Sequence, residues 1–319
     1  MDTLLETIKK YRKLKDISLT TYKQVLNKMA KDMTGDAYEN NIFLLDIEKV
    51  KEYFIGKSNS IRKKYISSIL VCLSPKGVNI TEHLDIYNSY KDFLLNENDI
   101  YKQSISNGKM SENDKNKWTE WDKIIDLQKK LGKVAIATES ISDWLKYLII
   151  SLYTLMPPKR LEYAEMMVTN KKDYDKFSQE TKDNRILYVG NTKKPFFSFG
   201  KFRVKRGSET RTFQIPTKLN NIIKTYIKLH TKNHDNTPPL WITGVGLTKN
   251  SLSKRIEKIF VENGFAPLGA TILRKIYLSY HPTNIVKQTQ DTEMKEIADK
   301  MGHSIHQQQN TYTKKVDIK

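Results

Sequence analysis

Apolar residues recur at every third or fourth position along most of this sequence, the spacing of helices that bury one stripe. Leu4, Leu5, Ile8 and Tyr11 form one such stripe. Tyr22, Val25, Leu26 and Met29 form the next, after a cap-like Ser18 to Thr21 segment. Further helical runs are predicted over Ile47 to Phe54, Ser60 to Leu73 and Tyr87 to Leu95, with Gly35 and Gly77 as stop signals between helices. The polar stretch Asn96 to Asn116, with Gly108 inside it, reads as a linker between two domains, 1–108 and 109–319. Ser111 then stands where a helix cap belongs. Trp118, Trp121, Ile124, Ile125 and Leu127-Gln128 follow as an amphipathic helix, and Ile141 to Leu155 as a more buried one.

The pattern changes after Thr169. Ile186 to Val189, Phe196 to Phe199 and Arg211 to Ile215 are short apolar or alternating runs that predict strands, the last two joined through Gly200 and a turn at Arg206-Gly207-Ser208. Helices resume at Leu219 to Leu229, Leu252 to Asn263, Thr271 to Tyr280 and Met294 to Met301. The expected fold is mainly α with a small antiparallel β-sheet, the second domain being of the α+β kind.

Composition narrows the partners. Lys and Arg total 55 against 36 Asp and Glu, a net charge of +19 in 319 residues. A surplus of that size in a folded chain points to a polyanion, nucleic acid first and an anionic membrane surface second. The single cysteine, Cys72, allows no internal disulfide and lies in an apolar run, so it reads as a small buried hydrophobe. No stretch has the apolar length to span a bilayer, the longest candidate being cut by Lys146. The first residues lack the basic-then-apolar order of a signal peptide. A soluble, intracellular protein is expected. No acidic cluster or Cys/His spacing suits a metal, so neither metal nor other cofactor is expected.

Four segments of the second domain carry chemistry, in order: Pro157-Pro158-Lys159-Arg160-Leu161-Glu162; Arg203-Val204-Lys205-Arg206-Gly207; Thr271-Ile272-Leu273-Arg274-Lys275; and Gly302-His303, with Tyr312 nine positions after the histidine. Singly, each is commonplace. Arg160 could cap the preceding helix, Arg274 and Lys275 could be a solvated face, Gly302-His303 an ordinary helix end, and Tyr312 a packing residue. With 17 tyrosines in 319 residues, one falls at a given offset about one time in twenty. The joint order is what discriminates. In that order the chain resembles the tyrosine recombinases, or phage integrases. That family has an arginine after a tight turn, a hairpin lysine, an H-x-L-R-H box, and Gly-His with a tyrosine nine residues on. The resemblance spans about Ser111 to the C-terminus. The first part is similar to the family's helical, SAM-like core-binding domain in character only. The wording of the Pro-Pro-Lys-Arg segment is most similar to enzymes of viruses and virophage-like mobile elements.

The resemblance implies a site-specific recombinase or integrase that closes as a two-domain, C-shaped clamp on double-stranded DNA. Tyr312 would be the nucleophile. Arg160 and Arg274 would clamp the non-bridging phosphate oxygens as planar, permanently charged donors, with His303 as a third. Lys205, beside the turn and preferred to Lys201 on the same hairpin, would protonate the leaving 5′-oxygen. Lys201, Arg203 and Arg206 would contact DNA. Thr271 stands where the family has its first box histidine, and a hydroxyl donates a hydrogen bond but accepts a proton poorly. Lys275 stands at the second and keeps the positive charge. Tyr163 stands where the family carries an acid, and Glu162 and Glu165 beside it are both candidates for orienting Arg160. A free phenol has a pKa near 10, so about 0.1% is ionised at neutral pH, a deficit of roughly 4 kcal/mol that nearby cations would offset. The product would be a 3′-phosphotyrosyl bond, resealed without ATP or metal.

The family further implies a homotetramer on two DNA sites, assisted by accessory DNA-bending proteins, working in the cytoplasm or nucleus of a host cell or carried in a virion. Seven residues follow Tyr312, fewer than the tail by which many relatives dock into a neighbour. Two other readings share these residues: a type IB topoisomerase, with the same chemistry on one duplex, and a non-catalytic DNA-binding protein of the same fold, favoured by Thr271.

Overall fold

The computed structural model describes residues 2–12, 14, 16–76, 83–106, 110–169, 185–188, 195–204, 207–231, 247–280 and 297–302. The chain divides into two compact units, 1–107 and 108–319.

The first unit is helical: α1 (Asp2–Arg12), α2 (Asp16–Thr34), a 3-10 turn (Ile42–Leu44), α3 (Ile47–Tyr53), α4 (Asn59–Leu73) and α5 (Leu84–Ser106). Val25, Leu26 and Met29 of α2 pack with Ile66, Ile69 and Cys72 of α4 and Tyr90 of α5. Helix α2 starts earlier than the sequence suggests. Ser18 to Thr21 lie inside it, and the Thr20 and Thr21 hydroxyls donate back to the carbonyls of Asp16 and Ile17. Cys72 is buried, donates to Asn41 Oδ1 at 2.7 Å and lies 3.3 Å from the Tyr38 hydroxyl. Burial pushes its thiol up to about 11.

Helix α5 continues to Ser106, into the stretch expected to be a linker. The reason is Glu97, which is 3% exposed. Its carboxylate accepts from Arg62 Nε at 2.9 Å and from Asn59 Nδ2 at 2.6 Å, both on α4. A run of polar residues that looked solvated therefore carries a buried tertiary anchor.

The second unit contains α6 (Glu112–Lys115), α7 (Trp121–Thr138), α8 (Ile141–Thr154), α9 (Thr217–Thr231), α10 (Lys249–Glu262) and α11 (Ala270–Tyr280). It also has strands β1 (Met167–Thr169), β2 (Arg185–Tyr188), β3 (Phe196–Val204) and β4 (Gly207–Gln214). Ser111 caps α6, accepting from the Asp114 amide at 3.1 Å. Trp121 and Trp144 are buried, and Trp118 packs on the same core. No helix among the described residues is long and apolar enough to cross a membrane.

The fold is thus mainly helical with a small sheet, in the order β1-β2-β3-β4. The β2-β3 and β3-β4 pairs are antiparallel, as expected. The three-residue β1, too short to stand out from the sequence, adds to the edge in parallel. Pairing runs to Val204 opposite Gly207, so Gly207 and Ser208 belong to the strand and not to the turn. Between Phe199 and Phe202 the register shifts, Gly200 and Lys201 standing against Thr210 alone. This is a bulge of the kind that re-aims the residues beyond it. Phe197 and Phe199 of β3 reach the core formed by α7, α8, α9 and α11.

Candidate functional site

Helix α8 ends at Thr154, ahead of Met156-Pro157-Pro158, where the prolines bar a further helical turn. The loop that follows is held from beneath. The Tyr153 hydroxyl donates to the Arg160 carbonyl at 2.6 Å. Tyr163 is fully buried and meets Tyr153, Phe197 and Phe199 edge-on, with ring centroids 5.7, 5.3 and 5.9 Å away. The position at which the resemblance expects an acid is therefore a core aromatic that fixes the loop. Burial pushes the phenols of Tyr153 and Tyr163 well above their ordinary value, so neither suits a nucleophile. Arg160 is half-buried at the surface of this loop. Glu165 is exposed, and its amide donates to Leu247 O at 2.9 Å.

Helix α11 supplies the next residues. Thr271 and Lys275, four apart, share one face; Arg274 lies round from it and points inward. Arg274 has no solvent exposure, and its Nη1 donates to Pro158 O at 3.1 Å and to Met301 O at 2.8 Å. One buried guanidinium thus ties the Arg160 loop to the segment that leads into Gly302-His303. Lys275 turns the other way, its amine 2.7 and 2.9 Å from the two carboxylate oxygens of Asp114. Thr271 is exposed.

Residues 297–301 are helical, with Ala298 and Met301 buried. Gly302 has φ +76°, the left-handed turn that commonly ends a helix and that glycine adopts without strain. A cleft of about 410 Å³ opens beside Arg160 and the Thr271 and Lys275 face of α11, lined among others by Asp114, Lys117 and Glu257. The structure thus brings Arg160, Thr271, Arg274 and Lys275 together, with the backbone that precedes His303. Lys201 and Arg203 lie on β3, their side chains outside the described residues, as are Lys205, Arg206, His303 and Tyr312.

Two participants were not found from sequence. Asp114 reads as an ordinary first-turn acid of α6, and nothing in its spacing announces Lys275 as a partner. Lys159 reads as a basic neighbour of Arg160, yet it is 1% exposed and donates to Lys300 O. Burial, with Arg274 and Arg211 nearby and against the pull of Glu162, brings its amine down to about 7.

No family model matches the chain, and no curated protein matches it. Among solved structures it is similar to a XerA recombinase, matched over 99% of this chain and 94% of that one, with 14% sequence identity and a TM-score of 0.39. An overlap that loose says nothing about residue roles.

Proposed function

We propose that the chain is a DNA strand transferase of the tyrosine recombinase kind, acting as a site-specific recombinase or integrase. The observation that carries this reading is the pair of hydrogen bonds that Arg274 Nη1 donates to Pro158 O and Met301 O. Three segments far apart in sequence, each bearing one part of the ordered motif, meet at one side chain.

In this reading a DNA phosphate enters the cleft beside Arg160, whose guanidinium meets the non-bridging oxygens. Arg274 holds the two flanking segments and adds its charge from below. The Tyr312 hydroxyl gives up its proton to solvent, its oxygen attacks phosphorus, the bond from phosphorus to the 5′-oxygen breaks, and Lys205 gives that oxygen a proton. His303 donates to the phosphate as charge gathers. A 5′-hydroxyl from a second duplex reverses these steps and completes the exchange. Two such sites on one DNA crossing require a multimer, a tetramer for two exchanged duplexes. The net charge of +19 supplies the general attraction to DNA.

A second reading has its own support. Arg274 spends Nη1 on backbone carbonyls and Lys275 is neutralised by Asp114, an arrangement that suits a DNA-binding protein of this fold without turnover. Covalent trapping separates the two. Purified protein is incubated with nicked suicide duplexes and run under denaturing conditions. The strand-transferase reading expects a DNA-linked band that is lost in Tyr312→Phe and kept in Tyr163→Phe. Tight binding with no linked band on any duplex would leave the non-catalytic reading.

A further inference from the structure

The side chains that fasten the 297–302 segment to the rest of the second unit include, among the described residues, these three. Arg274 bonds to Met301 O, and Arg211 Nη1 meets Asp299 Oδ1 at 3.2 Å. The third, Lys159, belongs to none of the motif positions. A lysine so deeply buried is rare without a specific partner. Its amine lies 3.8 Å from the Phe213 ring centroid and 4.5 Å from that of Phe199, and donates to Lys300 O.

We propose that Lys159 is a positioning residue. Its buried amine latches the segment that leads into Gly302-His303 onto the loop that presents Arg160, and protonation of that amine loosens the latch. The effect on chemistry rests on the strand-transfer reading; the docking does not.

The charged groups around the amine pull in opposite directions. Glu162 on its own loop favours the ammonium, whereas Arg274 of α11 and Arg211 of β4 oppose it. Strands β3 and β4 present aromatic rings, and the 297–302 segment presents a carbonyl, the Asp299 carboxylate beside it being paired with Arg211. Burial outweighs the rest and lowers the amine to about 7. When the segment lifts away, Lys159 returns toward water and toward its ordinary value near 10. The open form then holds more protons than the closed one. Docking therefore tightens as pH rises above about 7, by up to about tenfold per unit, and does not change below it.

Hydrogen exchange of amides 297–302 in the full chain, corrected for the intrinsic pH dependence, reads this directly. The expected result is protection that rises between pH 7 and 9 in the natural chain and stays flat in Lys159→Met. A flat natural profile, or a rise that survives in Lys159→Met, would overturn the latch. If Lys159→Met does not fold, Lys159→Gln replaces it with the same expectation. In the trapping assay, Lys159→Met should bind DNA within about twofold of the natural chain and form adduct at least about tenfold more slowly. Unchanged adduct formation would refute a role in positioning the chemistry. If the natural chain itself forms no adduct, the strand-transfer reading fails and the exchange experiment still decides the latch.

Discussion

Arg274 is a charge with no route to water, so its value to the fold lies in what it holds. Removing it leaves Pro158 O and Met301 O without this donor in a buried setting. Arg274→Met should therefore lose about 2–4 kcal/mol in denaturant unfolding. Asp114→Asn leaves a half-buried Lys275 without its counter-charge. Because that pair retains some solvent contact, the expected loss is smaller, about 1–2 kcal/mol by the same measurement. Lys159 gives a signed pH dependence. Its amine is down at about 7 in the folded chain and near 10 when unfolded, so between those values the unfolded chain holds the extra proton. Its contribution to stability thus rises with pH from about 7 to about 10, by at most roughly 1.4 kcal/mol per unit, and levels off below 7. The stability difference between the natural chain and Lys159→Met, measured at pH 6.5, 8 and 9.5, should follow that course. At this scale the sequence was legible where a residue's type settles its fate, as with Cys72 in its apolar run. It was not legible for Lys159 or Asp114, whose roles depend on partners more than a hundred positions away.

Helices α7 and α8 approach through a glycine. A Cβ on Gly132 would lie 2.8 Å from Cζ of Tyr147, whose ring is itself packed 5.8 Å from Trp144. The ring has little room to yield, so overpacking of about 1–3 kcal/mol should outweigh the helix propensity gained, which is at most about 1 kcal/mol. Gly132→Ala is expected to lower the denaturant midpoint, and a rise would show that the interface gives way. Periodicity found the long amphipathic helices because their buried faces repeat on a helical period, as α2, α4 and α7 show. It failed where burial is polar or the element is short. Glu97 lies where the last turns of α5 looked like a linker, and three residues of β1 carry too little alternation to register. The bulge at Gly200 and Lys201 is equally silent in sequence, since it is a property of the pairing with β4.

For the whole molecule, the order of the motif segments was legible because the proposed chemistry demands certain residue types, and the turn before Arg160 is marked by prolines. Their meeting at Arg274 was not, because it depends on how the Arg160 loop, α11 and 297–302 pack in three dimensions. On the proposed function, the basic chain should bind DNA with strong salt dependence, losing about 10³-fold or more between 50 and 200 mM salt for six or more phosphate contacts. That behaviour would hold for a catalyst and for a passive binder alike, so it does not test the central claim. The direct test is to digest the covalent protein–DNA adduct and map the linked peptide by mass spectrometry. The account predicts a phosphate on Tyr312, joined to the 3′ end of the cleaved strand, and a much weaker adduct in Arg160→Ala at equal DNA occupancy. A linkage on any other residue, or a 5′ linkage, would contradict it.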